Sequence, residues 1–86
     1  MEIGPVPHFY FHFRLDGKLA IDDEGQDLPD LSAAKREAQL SARQILADAI
    51  RFGKDQVPDA LVVADEQGRE IDTVLLGTIL PNDLKR

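Results

Sequence analysis

The side chains best suited to chemistry alternate along one short segment, His8-Phe-Tyr-Phe-His-Phe-Arg-Leu15. An alternating pattern predicts a strand whose two faces differ, and the polar face carries His8, Tyr10, His12 and Arg14. The two imidazoles would stand roughly 13 Å apart on a strand, which is too far to share a metal ion. No motif places a serine or cysteine beside a histidine, so a nucleophilic triad has no support. We interpret Tyr10, His12 and Arg14 as a candidate ligand face that could bind an anion or stack a base; the alternative is a solvated sheet face.

A second concentration of reactive groups is a run of carboxylates around Gly25. It comprises Asp22, Asp23, Glu24, Asp27 and Asp30. Carboxylate oxygens are ligands for Ca²⁺ and Mg²⁺, but the spacing departs from the alternating pattern of calcium loops. We expect a solvated loop whose last member caps the following helix. The sequence therefore predicts no catalytic residue, no metal site, no cofactor and no enzyme activity.

Composition bounds the class of protein. The chain has 86 residues, no cysteine and a formal net charge of −6. This length suits one small domain, and the absence of cysteine excludes disulfides and thiolate metal sites. Because phosphate binding is driven by basic surfaces, the acidic balance makes nucleic acid an unlikely partner. The first eight residues do not read as a signal peptide, and no apolar stretch approaches the ~20 residues that span a bilayer. We expect a cytoplasmic protein with no membrane contact.

The turn after the first strand leaves two registers open. Asp16-Gly17 is a hairpin signal. A two-residue loop pairs Phe13 with Ala20 and puts Leu19 and Ile21 on the polar face. A three-residue loop, with the glycine left-handed, pairs Phe13 with Leu19 and keeps every large apolar side chain on one face. We expect the three-residue loop for that reason.

One long amphipathic helix is predicted from Leu31 to Phe52. Asp30 is the expected N-cap and Gly53 the expected left-handed residue that ends the helix. Apolar residues recur on one stripe, which we predict to be the core face. That stripe is Leu31, Ala34, Ala38, Ala42, Ile45, Ala49 and Phe52.

Two further strands follow the helix. They are predicted at Leu61–Ala64 and Ile71–Leu76, joined by a three-residue loop, Glu66-Gln67-Gly68. This register pairs Val63 with Ile71, and Leu61 with Thr73.

The order strand, strand, helix, strand, strand predicts a two-layer α+β domain, with an antiparallel sheet packed on one long helix. We expect a single domain over residues 1–86, with loose tails at 1–7 and 81–86. The predicted sheet core is Phe9, Phe11, Phe13, Leu19, Ile21, Val63 and Ile71. Strand order stays open: the hairpins could lie side by side, the first strand could pair with the third, or protomers could exchange strands.

The helix also carries apolar residues opposite its core stripe. They alternate with cations, and we take five positions as a candidate interface: Arg36, Leu40, Arg43, Ala47 and Ile50. Scattered exposed apolar residues are normal on monomers, so a plain solvated face is one interpretation. The other is a contact surface, most simply that of a two-fold homodimer, or one for a protein partner still to be identified.

Several segments together resemble a known family. They are Phe9-Tyr-Phe-His-Phe13, Asp22-Asp-Glu-Gly25, Leu28-Pro-Asp-Leu31, the alanine-rich helix and Val63-Ala-Asp-Glu-Gln-Gly68. In this order they resemble short alphaproteobacterial proteins grouped as a domain of unknown function, over about Phe9 to Leu76. The resemblance implies a small stand-alone bacterial protein and brings no activity or site residue.

A fainter similarity is to HicB-type antitoxin domains, which also join an aromatic hairpin to a Leu-Pro-Asp-Leu segment and an alanine-rich helix. Those domains usually have a third strand before the helix, which we do not predict here. The similarity implies a binding role by analogy alone. We therefore expect a non-catalytic protein that acts by protein–protein contact as a homodimer. The alternative is a small-ligand or nucleic-acid-binding module that uses Tyr10, His12 and Arg14.

Overall fold

The computed structural model describes residues 6–79 and has the predicted α+β organisation, an antiparallel sheet with one long helix. In chain order the elements are β1 (His8–Leu15), β2 (Lys18–Ala20), β3 (Gln26–Asp27), α1 (Leu31–Phe52), β4 (Ala60–Ala64), β5 (Glu70–Leu75) and a short 3₁₀ helix (Leu76–Thr78). The strand β3 lies where only a polar connection was predicted. Most of the predicted loose tails lies outside the described residues, but the Pro7 carbonyl accepts a hydrogen bond from the Leu28 N–H at 3.0 Å.

The sheet has the order β2-β1-β4-β5, and β3 also pairs with β1. The first strand therefore pairs with the first strand after the helix, one of the three arrangements that the sequence left open. Because β4 occupies one edge of β1, the short strands β2 and β3 share the other edge. The central strand β4 is buried along its whole length.

The register predicted for the first hairpin is wrong. Phe13 pairs with Ala20, as in the two-residue loop, and Leu19 and Ile21 are 36% and 60% exposed. Asp16 and Gly17 both have positive φ, 52° and 76°. This is the geometry of a two-residue turn whose twist matches that of the flanking strands. The twist decides the register, because two aliphatic side chains at a sheet edge gain little from burial.

The register predicted for the second hairpin is also wrong beyond its first pair. Ala64 pairs with Glu70, in the predicted register. A β-bulge then shifts the ladder by one residue, so that Leu61 pairs with Val74 instead of Thr73. The extra residue allows Ile71 as well as Val74 to pack against the core.

The helix bounds, Leu31–Phe52, are confirmed together with both caps. The Asp30 carboxylate accepts a hydrogen bond from the Ala33 N–H at 2.8 Å, and Gly53 ends the helix with φ 63°. Each cap satisfies backbone groups that have no partner inside the helix, and for this reason local sequence signals place helix ends well.

The core face of α1 differs from the predicted stripe at both ends. Leu31 is 40% exposed and Phe52 is 64% exposed, whereas Leu46 is buried. The buried row runs at four-residue spacing, through Ala34, Ala38, Ala42 and Leu46. Such a row is inclined to the helix axis, so a stripe drawn parallel to the axis misassigns the terminal turns. Opposite these alanines the sheet contributes Phe9, Phe11, Leu61, Val63 and Val74, and the 3₁₀ helix contributes Leu76.

Candidate functional site

The five candidate interface residues lie on the exposed side of α1 and together form what we call the outer helix face: Arg36, Leu40, Arg43, Ala47 and Ile50. Leu40 is 59% exposed and Ile50 is 67% exposed. A shallow hollow of about 320 Å³ lies beside Leu40, lined by Lys35, Arg36, Gln39, Leu40 and Arg43. The outer helix face therefore combines two large aliphatic side chains with a depression lined by the stems of cations.

Positive charge is concentrated on this helix although the chain as a whole carries −6. The exposed cations of α1 are Lys35, Arg36, Arg43 and Arg51, and Lys54 follows directly. Asp48, half-buried, accepts a hydrogen bond from the Gln44 side chain at 2.9 Å. A surface of this sign in an acidic chain favours contact with carboxylates.

Two of the three predicted ligand-face residues lie together, and the third does not. The rings of Tyr10 and His12 stack with centroids 6.2 Å apart. Arg14 instead reaches Glu70, with its Nη2 3.4 Å from Oε1. Because β4 lies between β1 and β5, this ion pair crosses the outer side of β4, where Val62 is completely buried. Arg14 therefore helps to cover the sheet and does not line the hollow beside the two rings.

Tyr10 and His12 line a second hollow, of about 290 Å³, whose rim is acidic. The remaining lining is Ile21, Asp22, Asp23, Asp65, Glu66 and Gly68. Arg69 neutralises one of these carboxylates, Asp65, at 2.8 Å. The rest of the acidic rim disfavours the anion that the sequence suggested, and favours a cation in contact with aromatic faces.

Sequence reasoning missed the role of Asp22, which fills a gap in the sheet edge. On the edge of β1 that β2 and β3 share, neither strand reaches residues 10–12, and the Asp22 carboxylate accepts the Phe11 N–H there at 3.1 Å. Its other oxygen accepts the N–H groups of Glu24 at 3.2 Å and Gly25 at 3.1 Å. The Asp22 N–H donates in turn to His12 Nδ1 at 3.0 Å. The sequence predicted only a solvated loop here, because the bonds to β1 join residues that are distant along the chain.

His8 was also missed as a structural group. Its Nδ1 lies 2.5 Å from an Asp27 carboxylate oxygen and its Nε2 lies 2.7 Å from the Glu24 carbonyl oxygen. Both partners are acceptors, so the imidazole satisfies both bonds when both ring nitrogens carry protons. The Asp27 carboxylate and the Glu24 carbonyl raise the pKa of His8 above its ordinary 6.5. This part of the predicted solvated loop is therefore tied to β1 through the His8 side chain.

The histidine makes stability depend on pH. A group whose pKa is raised in the folded state contributes stability below its unfolded pKa and loses it as pH rises through the folded value. We expect the difference in unfolding midpoint between the native protein and His8→Gln to be largest near pH 5.5 and to shrink as pH rises from 6.5 to 8.5. Urea unfolding across that range measures it. A difference independent of pH, or a His8 NMR titration at or below 6.5, would contradict the assignment.

Residues 6–79 were also compared with what a metal site and a membrane-spanning helix require. Over that range no three histidine, cysteine or acidic side chains are grouped so as to hold a metal ion. None of the helices in the described part of the chain is long and apolar enough to cross a membrane.

Comparison with known proteins gives one match. The family model for a domain of unknown function (DUF6894) matches residues 8–77, which span β1 to the 3₁₀ helix. No curated protein and no solved structure matches the chain. The match covers the outer helix face and the acidic hollow, and the family description adds no activity to either.

Proposed function

We propose, for a chain that belongs to the DUF6894 family, that it acts without catalysis, by protein–protein contact, as a homodimer formed through the outer helix face. The observation that carries this proposal is the exposure of Leu40 and Ile50, both more than half accessible on a helix that already buries its other side in the core. Large aliphatic side chains exposed on one face of a helix, here with Ala47 between them, are common at contact sites. The resemblance to bacterial proteins and the absence of cysteine support a bacterial cytoplasm as the setting.

A second copy is a reasonable occupant because the protein is small. A chain of 86 residues has a thin core, and association adds buried apolar area that the fold alone does not supply. Full burial of one leucine or isoleucine is worth about 1.5–3 kcal/mol relative to exposure. Two copies would bury two such side chains each.

Replacing both Leu40 and Ile50 by glutamate is expected to weaken this dimer at least tenfold, because the aliphatic area of the contact is lost and charged carboxylates would have to be desolvated. Light scattering over a concentration series is the measurement, with the native protein near twice 9.6 kDa and the variant near 9.6 kDa. The matched control, Gln56→Glu with Gln67→Glu, adds the same charge on exposed loops and should stay dimeric. Native protein that is monomeric at every concentration would refute the proposal.

The second candidate function is binding of a small cationic ligand in the acidic hollow. It is favoured by the stacked rings of Tyr10 and His12 within a rim that includes Asp23 and Glu66. NMR titration with spermidine is expected to shift the amides of both aromatic residues, and a short oligonucleotide is expected to leave them unchanged. Shifts caused by the oligonucleotide alone would favour the nucleic-acid alternative. No shift with either ligand would remove the candidate.

A further inference from the structure

The outer helix face forms a regular seam along α1. Exposed residues of α1 follow one another at alternating spacings of four and three, at Arg36, Leu40, Arg43, Ala47 and Ile50. This is the spacing with which one helix contacts another over several turns. Resting on the homodimer proposed above, we propose that two copies pair through this seam with their helices antiparallel, and with Leu40 against Ile50 of the second copy.

The cations within the seam favour the antiparallel direction. In a parallel pair in register, Arg43 would lie opposite Arg43 of the second copy, which places like charges at the centre of the contact. In the antiparallel pair each Arg43 lies opposite Ala47, whose small side chain leaves room for the arginine stem to lie along the surface. Two aliphatic layers then flank two arginine–alanine layers.

Charges beside the seam point to the same direction. Glu37 and Arg51 lie on the same flank of the seam, each one residue after a seam position. In antiparallel helix pairs such positions meet across the contact, so Glu37 would lie beside Arg51 of the second copy, and the two-fold axis repeats the pair. A parallel pair would place Glu37 beside Ser32 and Arg51 beside Leu46.

Both charges are available for such contacts. Among residues 6–79, the ion pairs within the protomer involve neither Glu37 nor Arg51. The Arg51 guanidinium lies 5.3 Å from the centre of the exposed Phe52 ring, at the end of the helix and open to solvent. Leu40 and Ile50 are about 15 Å apart along the axis, so the contact extends over nearly three turns.

Charge reversal with mixing tests the orientation. Glu37→Arg alone, or Arg51→Glu alone, places like charges at both flanking pairs and should weaken each homodimer about tenfold at low salt. An equimolar mixture of the two variants restores both attractions and should form a heterodimer with at least the native affinity. The double variant, Glu37→Arg with Arg51→Glu, should also dimerise. Lys18→Glu, a charge reversal at an exposed position of β2, is the control and should change affinity little.

The affinities of the variants distinguish the antiparallel pairing from other contacts through the same helix. Sedimentation equilibrium of the single variants and of their mixture measures the association, and circular dichroism checks that each variant is folded. If Glu37→Arg does not fold, Glu37→Gln replaces it. This neutral variant should weaken the dimer less than a charge reversal would. If the single charge reversals leave the dimer affinity unchanged but Leu40→Glu lowers it, the antiparallel pairing is wrong. The outer helix face would still be the contact surface. The antiparallel pairing is also wrong if each single variant dimerises more weakly and an equimolar mixture of the two does not restore the affinity. A monomeric native protein would refute both proposals.

Discussion

Replacing Gly25 by alanine is expected to lower the free energy of unfolding by about 3 kcal/mol or more. Gly25 has φ +68°, a region that costs alanine about 1–2 kcal/mol. An added Cβ would also lie 2.6 Å from the Phe9 carbonyl oxygen and 2.5 Å from His8 Nε2. The backbone oxygen belongs to β1 and cannot move without disturbing the sheet, so the loop must leave β1. Urea unfolding followed by circular dichroism measures the loss.

Gly17→Ala is the matched control for this prediction. Gly17 has φ +76°, and no atom lies within 4 Å of the position of an added Cβ. Only the backbone strain remains, and the expected loss is about 1 kcal/mol. Equal losses at the two glycines would show that close approach of the loop to β1 contributes nothing.

Asp22→Ala is expected to cost about 2–3 kcal/mol, because it removes the acceptor of three backbone N–H groups and leaves that of Phe11 without a partner at the sheet edge. Thermal and urea unfolding measure the effect. Asp23→Ala removes the neighbouring exposed carboxylate and should change stability by less than about 0.5 kcal/mol. If both variants lose the same amount, the carboxylate does not complete the sheet.

The pH dependence of Asp22 gives an independent check. Burial raises the pKa of this carboxyl, but the N–H groups of Phe11, Gly25 and Glu24 outweigh burial and hold the pKa below its ordinary 3.8. A lowered pKa in the folded state contributes stability that is present above the unfolded value and is lost as pH falls through the folded value. The difference between native protein and Asp22→Asn should therefore shrink below pH 4.

The helix could be predicted from the sequence because its signals are local. Asp30 and Gly53 lie at its two ends, and each acts on backbone groups within a few residues. The α+β class followed from the order of elements, and the exposure of Leu40 and Ile50 followed from helical periodicity. These features depend on the spacing of residues along the chain and very little on contacts between residues that are distant in the sequence.

Strand registers and the edge site could not be predicted in the same way. In the first hairpin, burial of Leu19 favours a three-residue loop and turn geometry favours a two-residue loop. The structure has the two-residue loop, whose twist matches that of the flanking strands. The bulge near Ile71 and the bonds of His8 and Asp22 depend on which strands become neighbours. That choice is made by tertiary packing, which short-range patterns do not encode.

The bulge in β5 bears on how this protein avoids aggregation. As the last strand in the order β2-β1-β4-β5, β5 offers unpaired backbone groups that could template the addition of strands from other molecules. The bulge twists that edge, and a two-fold pairing of the strand with itself centred on Ile71 would bring Glu70 opposite Asp72, two like charges. The edge thereby resists fibril-like growth, and the proposed contact between copies uses the helix instead of this edge.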